Sequence, residues 1–181
     1  QDKSGQYIYT NYTYIYKEGR LTEKIDSSAK DIKKHYITYG DLGDITGEEI
    51  KIGAVLIKEI EYEYDNLSRL IESTSNDKIN KCKIIESYAY DSYNNLAKKT
   101  IKNECTGTKE KPVSITYNYK YDNKSRIIEK QAIYPNAGYK VISYQYSPDG
   151  KIISSYESAG SDTYDNTKYS YDDKTNSVKI E

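Results

Sequence analysis

The sequence predicts an all-β protein: an antiparallel β-hairpin repeat array, a meander of about 10–13 strands in one twisted or curled sheet. Three observations carry this. The aromatic residues are 23 Tyr, with no Phe and no Trp. A Tyr-x-Tyr pair recurs along the chain, and each pair precedes a short polar reversal that opens on Leu, Ile or Val. The copies are Tyr14-Ile15-Tyr16 before Gly19-Arg20-Leu21, Tyr62-Glu63-Tyr64-Asp65 before Ser68-Arg69-Leu70, Tyr88-Ala89-Tyr90-Asp91 before Asn94-Asn95-Leu96, Tyr119-Lys120-Tyr121-Asp122 before Ser125-Arg126-Ile127, Tyr144-Gln145-Tyr146 before Gly150-Lys151-Ile152, and Tyr169-Ser170-Tyr171-Asp172 before Asn176-Ser177-Val178. The last five second tyrosines stand at 64, 90, 121, 146 and 171. Spacing that regular marks one supersecondary unit per repeat.

Each unit reads as a hairpin because Tyr and Ile at period two fit a pleated, half-buried strand, while the Asp, Asn, Ser, Gly and Pro between them favour a tight reversal. Ser147-Pro148-Asp149-Gly150 is the clearest turn: Pro sets the first central residue of a type I turn and Gly takes the left-handed position after it, giving a bulged hairpin. Gly19, Ser68, Asn94, Ser125 and Thr175 hold the equivalent slot. Ser and Thr are poor at positive φ, so other loop types are open to those turns. Residues 24–58 break the pattern inside what reads as a single domain over 1–181. Asp26 to Asp31 suits the start of a short helix, and Gly40 to Gly47 is too rich in Gly and Asp for a strand interior. The segment reads as a degenerate or inserted strand pair, around His35–Tyr39 and Ile50–Ile57, joined by a long loop.

Composition bounds the core and the partners. With 23 Ile, 6 Leu, 4 Val and no Phe, the usual core formers sit just under the roughly 20% that signals disorder when net charge is also high. The net charge is only −1. Tyrosine rings therefore supply the apolar surface, and the core is expected to be thin and tyrosine-lined. Acids and bases, 28 against 27, alternate throughout, which argues against a nucleic-acid partner. The longest apolar run, Ile52–Ile57, is far short of a membrane span. An opening of Gln1-Asp2-Lys3-Ser4-Gly5 suggests a processed chain whose targeting segment has been removed.

Two cysteines, Cys82 and Cys105, flank the third hairpin. If Asp91 faces Leu96 across a four-residue loop, counting outward brings Cys82 directly opposite Cys105, within reach of a disulfide. A three-residue bulged register leaves them offset by one, and a further bulge is then needed. A disulfide implies an oxidising, exported setting; two buried thiols in a cytosolic protein are the alternative.

The motif Tyr-x-Tyr-Asp-x-x-Gly-Arg-Leu, nearest to consensus in Tyr62-Glu63-Tyr64-Asp65-Asn66-Leu67-Ser68-Arg69-Leu70, resembles the YD repeats of bacterial RHS-type and related secreted proteins. The resemblance covers residues 12–25 and 58–181. It implies a spiralling β-sheet, which in long members walls off a cavity around a toxin. A chain with six such repeats is too short to close a shell, and the resemblance then points to small bacterial surface or periplasmic proteins, often lipoproteins. Export to the periplasm, the outer membrane as a lipoprotein, or the extracellular space follows, with a lipid anchor in the precursor.

No catalytic constellation is legible. His35 is the single histidine, and no nucleophile elbow or cysteine partner accompanies it. Asp65, Asp91, Asp122, Asp149 and Asp172 recur as cation ligands would, but Asp caps backbone N–H groups in turns, and no calcium-loop spacing occurs. Neither a metal nor a cofactor is expected. Asn11-Tyr12-Thr13, Asn66-Leu67-Ser68 and Asn123-Lys124-Ser125 fit the glycosylation triplet but read as turns. The strongest binding candidates are the tyrosines that share a sheet face: Tyr88, Tyr90, Tyr117, Tyr119, Tyr121, Tyr144 and Tyr146. Hydroxylated rings in such ladders either hold the sheet together or, where uncovered, offer a platform to carbohydrate or to a partner protein at the cell surface. The chain thus reads as a non-catalytic exported binding or scaffold module, or as a purely structural repeat module of a larger surface or toxin-associated assembly.

Overall fold

The computed structural model describes residues 11–27, 32–106, 113–135, 138–159, 162–172 and 177–180. Among these residues run fourteen strands and no helix: β1 (Asn11–Lys17), β2 (Arg20–Ser27), β3 (Ile32–Tyr39), β4 (Ile45–Ile52), β5 (Val55–Tyr64), β6 (Leu70–Asp77), β7 (Cys82–Tyr90), β8 (Leu96–Cys105), β9 (Val113–Tyr121), β10 (Ile127–Tyr134), β11 (Gly138–Tyr146), β12 (Ile152–Ala159), β13 (Asp162–Asp172) and β14 (Ser177–Ile180). Strand order in the sheet equals chain order, β1 to β14. The expected antiparallel meander is what the chain forms. The chain gathers into two compact units, Gln1–Glu86 with Asn103–Pro112, and Ser87–Lys102 with Val113–Glu181.

In the first unit the segment 24–58 is more regular than its sequence suggests. Asp26 and Ser27 close β2 instead of starting a helix, and Gly47 lies inside β4. The β3–β4 connection is residues 40–44 alone, closed by Gly40 N–H to Asp44 O at 2.9 Å and Gly43 N–H to Gly40 O at 3.0 Å. Asp65 N–H to Arg69 O at 2.9 Å and Ser68 N–H to Asp65 O at 3.0 Å repeat that pattern in the β5–β6 turn. Tyr39 therefore opens one more copy of the unit, hidden because Ile37 stands where the first tyrosine is expected and Gly40 where the Asp is. The apolar run Ile52–Ile57 is no single strand either, since Gly53 at φ +58 turns the chain between β4 and β5. That tight turn brings the strand total to fourteen. Asn11–Thr13 lies within β1, whereas Asn66–Ser68 and Asn123–Ser125 are in turns.

One turn design serves both units. Ser68, Asn94 and Ser125 take φ of +55, +66 and +57, alongside Gly43 at +90 and Gly150 at +93. Serine thus adopts the left-handed conformation it was expected to avoid, because the Asp at the start of the turn fixes the loop around it. Thr175 falls outside the described residues. Just past the turn, one extra residue enters the returning strand: register shifts leave Thr22, Thr46, Ile71, Ile128 and Ile153 without a facing partner. Replacing Ser125 by Gly removes about 1–2 kcal/mol of left-handed strain and adds about 0.5–1 kcal/mol of backbone entropy loss. Ser125→Gly is accordingly expected to raise stability by about 0.5 kcal/mol, read from the urea midpoint at unchanged m-value.

Cys82 on β7 and Cys105 on β8 form a disulfide, with Cα atoms 4.0 Å apart. The turn-plus-bulge register seen in the neighbouring hairpins brings these positions face to face, which resolves the choice of register left open by the sequence.

Burial is shallow. Among the described residues only Ala132, 7% exposed, and Ser154, 6% exposed, are buried, and Ser154 donates to Gln145 Oε1 at 2.8 Å. The interior is thinner than a tyrosine-lined core: most strand side chains, tyrosines included, are half-buried on both faces and covered by cross-strand neighbours.

Candidate functional site

The residues that carry the repeat converge at its turns. Asp122 Oδ1 accepts Lys124 N–H at 2.9 Å and Arg126 N–H at 3.0 Å, while Oδ2 receives Arg126 Nε and Nη2, each at 2.6 Å. Asp65 makes the same set with Leu67 and Arg69. Asp91 accepts Tyr93 N–H and Asn95 N–H at 2.9 Å, and its Oδ2 takes one bond from Asn95 Nδ2 at 3.1 Å. In the fifth turn Ser147 replaces Asp and its Oγ accepts Lys151 N–H at 3.0 Å. Asp65, Asp91 and Asp122 are thus turn caps, as expected of Asp in such turns, whereas Asp149 accepts from Ser147 Oγ and the turn after Asp172 lies outside the described residues. The backbone and guanidinium donors of Arg126 lower the Asp122 pKa to about 2. Arg69, through its side chain and then its backbone N–H, lowers that of Asp65. At Asp91 burial opposes ionisation, but the bonds from Asn95 and Tyr93 prevail and the pKa still falls.

In four copies the tyrosine before the turn reaches back one repeat. Tyr39 Oη donates to Leu21 O at 3.0 Å and Tyr64 Oη to Ile45 O at 2.9 Å in the first unit. In the second unit Tyr121 Oη donates to Leu96 O and Tyr146 Oη to Ile127 O, both at 2.8 Å. The acceptor is the residue that opens the strand after the preceding turn at Ile45, Leu96 and Ile127, and the second residue of that strand at Leu21. Cations complete the join: Arg20 lies 5.5 Å from the Tyr39 ring centroid, Arg126 4.5 Å from Tyr146 and Lys151 5.2 Å from Tyr171. Arg126 also reaches the next turn, Nη1 to Ser147 O at 3.4 Å.

No family model matches the chain, and no curated protein matches it. Among solved structures, the crystal structure of TcdB2-TccC3 is similar, with a TM-score of 0.53 and 16% identity over 94% of this chain and 10% of that one. The likeness is one of fold. This chain spans a tenth of the length of the chain it matches.

The tyrosines singled out from the sequence are all half-buried, and within β9 the three rings share a face. On the sides of β9 and β11 that face β10 and β12, their cross-strand neighbours are not tyrosines. Tyr117 faces Ala132, Tyr119 faces Lys130, Tyr121 faces Ile127 and Tyr144 faces Ser155. Lysines lie over the rings instead, Lys130 5.1 Å from Tyr117 and Lys99 5.2 Å from Tyr88. Tyr90 ends β7, one residue before Asp91. Tyr144 borders a shallow hollow with Ile142, Ser155 and Tyr169. His35 is held by Glu48 through Nδ1.

One hollow is larger. A cleft of about 650 Å³ separates the Asp91–Asn95 turn from the Asp122–Arg126 turn, lined by Tyr119, Tyr121, Asn95, Ala97, Ile128 and Asn123 among others. Tyr119 and Tyr121, two of the residues singled out from the sequence, are among those that line it. Tyr93 also lines the cleft and is 81% exposed. Tyr93 lay outside the Tyr-x-Tyr pattern and so went unremarked; its signal is a lone aromatic inside a turn, where polar residues are the rule. The cations over the rings were also missed, because their partners sit about one repeat away in sequence.

Proposed function

We propose that this chain is a non-catalytic structural repeat module of a larger exported protein assembly. The observation that carries the reading is the destination of the tyrosine hydroxyls. Four second tyrosines donate to main-chain carbonyls of the preceding repeat, so the residues that define the motif join repeat to repeat. The resemblance of the motif to YD repeats supports this, as does a fold shared with a tenth of the much longer TcdB2-TccC3 chain. The Cys82–Cys105 disulfide supports export, because such bonds persist in oxidising compartments.

Tyr146→Phe removes a donor and leaves Ile127 O without it, and is expected to cost about 1 kcal/mol. A glycan array should stay blank with the intact protein, and the chain in its native cells should migrate within a high-mass species. A saturable glycan signal that Tyr117→Ser or Tyr144→Ser abolishes without unfolding would overturn this reading in favour of a carbohydrate-binding face. Migration as a small monomer without partners would overturn the assembly part of it.

A further inference from the structure

The large cleft arises from one departure within the repeat. Where the fourth turn has Arg126, the third has Asn95. Arg126 fills the space between its own turn and the next: it is paired to Asp122 Oδ2, stacked 4.5 Å over Tyr146 and bonded to Ser147 O. Lys151 and Arg20 cover Tyr171 and Tyr39 in the same manner. Asn95 is too short to repeat this, and its amide stops at Asp91 Oδ2. Among the described residues no cation lies over the Tyr121 ring.

The walls that hold a guanidinium elsewhere are therefore assembled here around an open space. Asp91 is the counterpart of Asp122, with a single 3.1 Å side-chain bond on Oδ2 where Asp122 Oδ2 takes two at 2.6 Å. A carboxylate oxygen with one such bond retains acceptor capacity. Tyr121 is the counterpart of Tyr146 as a ring face, and Asp122 O is the counterpart of Ser147 O. Burial raises the pKa of both the Tyr121 and the Tyr146 hydroxyl; the Asp91 carboxylate adds to the rise at Tyr121, whereas at Tyr146 the Arg126 guanidinium opposes it. Lys120, the one cation lining the cleft, is paired with Glu129 at 2.8 Å. The site thus combines a carboxylate, an aromatic face and a carbonyl, which together select a planar, multidentate cation.

We propose that the cleft between the Asp91–Asn95 and Asp122–Arg126 turns is a docking site for an arginine side chain of a partner protein. The site stands whether or not the chain is a structural module, since it rests on the geometry of one missing arginine.

The test titrates the whole chain with the tripeptide Ala-Arg-Ala, capped at both ends, at constant ionic strength, following the ring resonances of Tyr121 and Tyr119. Saturable shifts at millimolar peptide are expected, with affinity reduced about tenfold or more for the citrulline and lysine peptides. Asn95→Arg supplies the missing side chain in place and is expected to abolish the response and raise the melting temperature. Ala97→Ile, which adds bulk at a residue lining the cleft, should abolish the response independently, so the test survives if the first variant folds poorly. Shifts that do not saturate, that the lysine peptide matches, or that persist in both variants would overturn the proposal. Methylguanidinium binding as tightly as the tripeptide would overturn its assignment to a protein partner.

Discussion

Replacing Cys82 and Cys105 by Ala is expected to lower the unfolding free energy by about 3 kcal/mol, the chain-entropy value for a loop of this length. The two cysteines are 23 residues apart in sequence and belong to the first unit. A sheet with two buried residues among those described has little packing in reserve. The melting temperature should fall on the order of 10 °C, at about 2–4 °C per kcal/mol for a chain of this size. Calorimetry of the oxidised protein, the reduced protein and the double variant checks it. Agreement between the last two assigns the loss to the cross-link, and a fall under about 2 °C would show that the strand pairing holds without it.

Acid should unfold the protein in a defined window. The turn aspartates have folded-state pKa values below the ordinary carboxylate range, Asp122 at about 2 and Asp65, Asp91, Asp77 and Asp149 in the same direction. A carboxylate whose pKa is depressed by folding contributes stability that is fully present above its unfolded pKa of roughly 4 and is lost as pH falls through the folded value. Stability should therefore hold level from neutral pH to roughly pH 5 and fall steeply from roughly pH 4 to pH 2. Asp122→Asn should be less stable at neutral pH and show a shallower acid slope than the parent chain. Urea melts at each pH read both. Equal slopes in parent and variant would assign acid sensitivity to other carboxylates.

The sequence made the hairpins legible because strand and turn announce themselves locally: alternating Tyr and Ile, then Asp, Ser or Gly. The disulfide was within reach for the same reason, as register is arithmetic once the turn is known. Tyr39 hid its repeat because the unit is defined by what the backbone does, and Gly40–Asp44 folds like Asp65–Arg69 with little of its sequence. The left-handed serines ran against intrinsic preference, overridden by the two backbone and two guanidinium bonds that one aspartate accepts. The join between repeats was harder to see. Tyr146 and Ile127 are 19 residues apart, and nothing at either position names the other. The cleft at Asn95 became legible only once Arg126 showed what the position normally does.

The backward reach of the tyrosines also sets an order in time. A strand that leaves a ribosome or a secretion pore does so from its N-terminal end, and each Tyr hydroxyl in this set finds its acceptor in chain that has already emerged, 18 to 25 residues earlier. No repeat has to wait for a later one to satisfy that bond. Contacts of such short range close quickly and leave little unpaired edge exposed during synthesis. The motif that joins one repeat to the last is thereby suited to laying the sheet down strand by strand as the chain emerges.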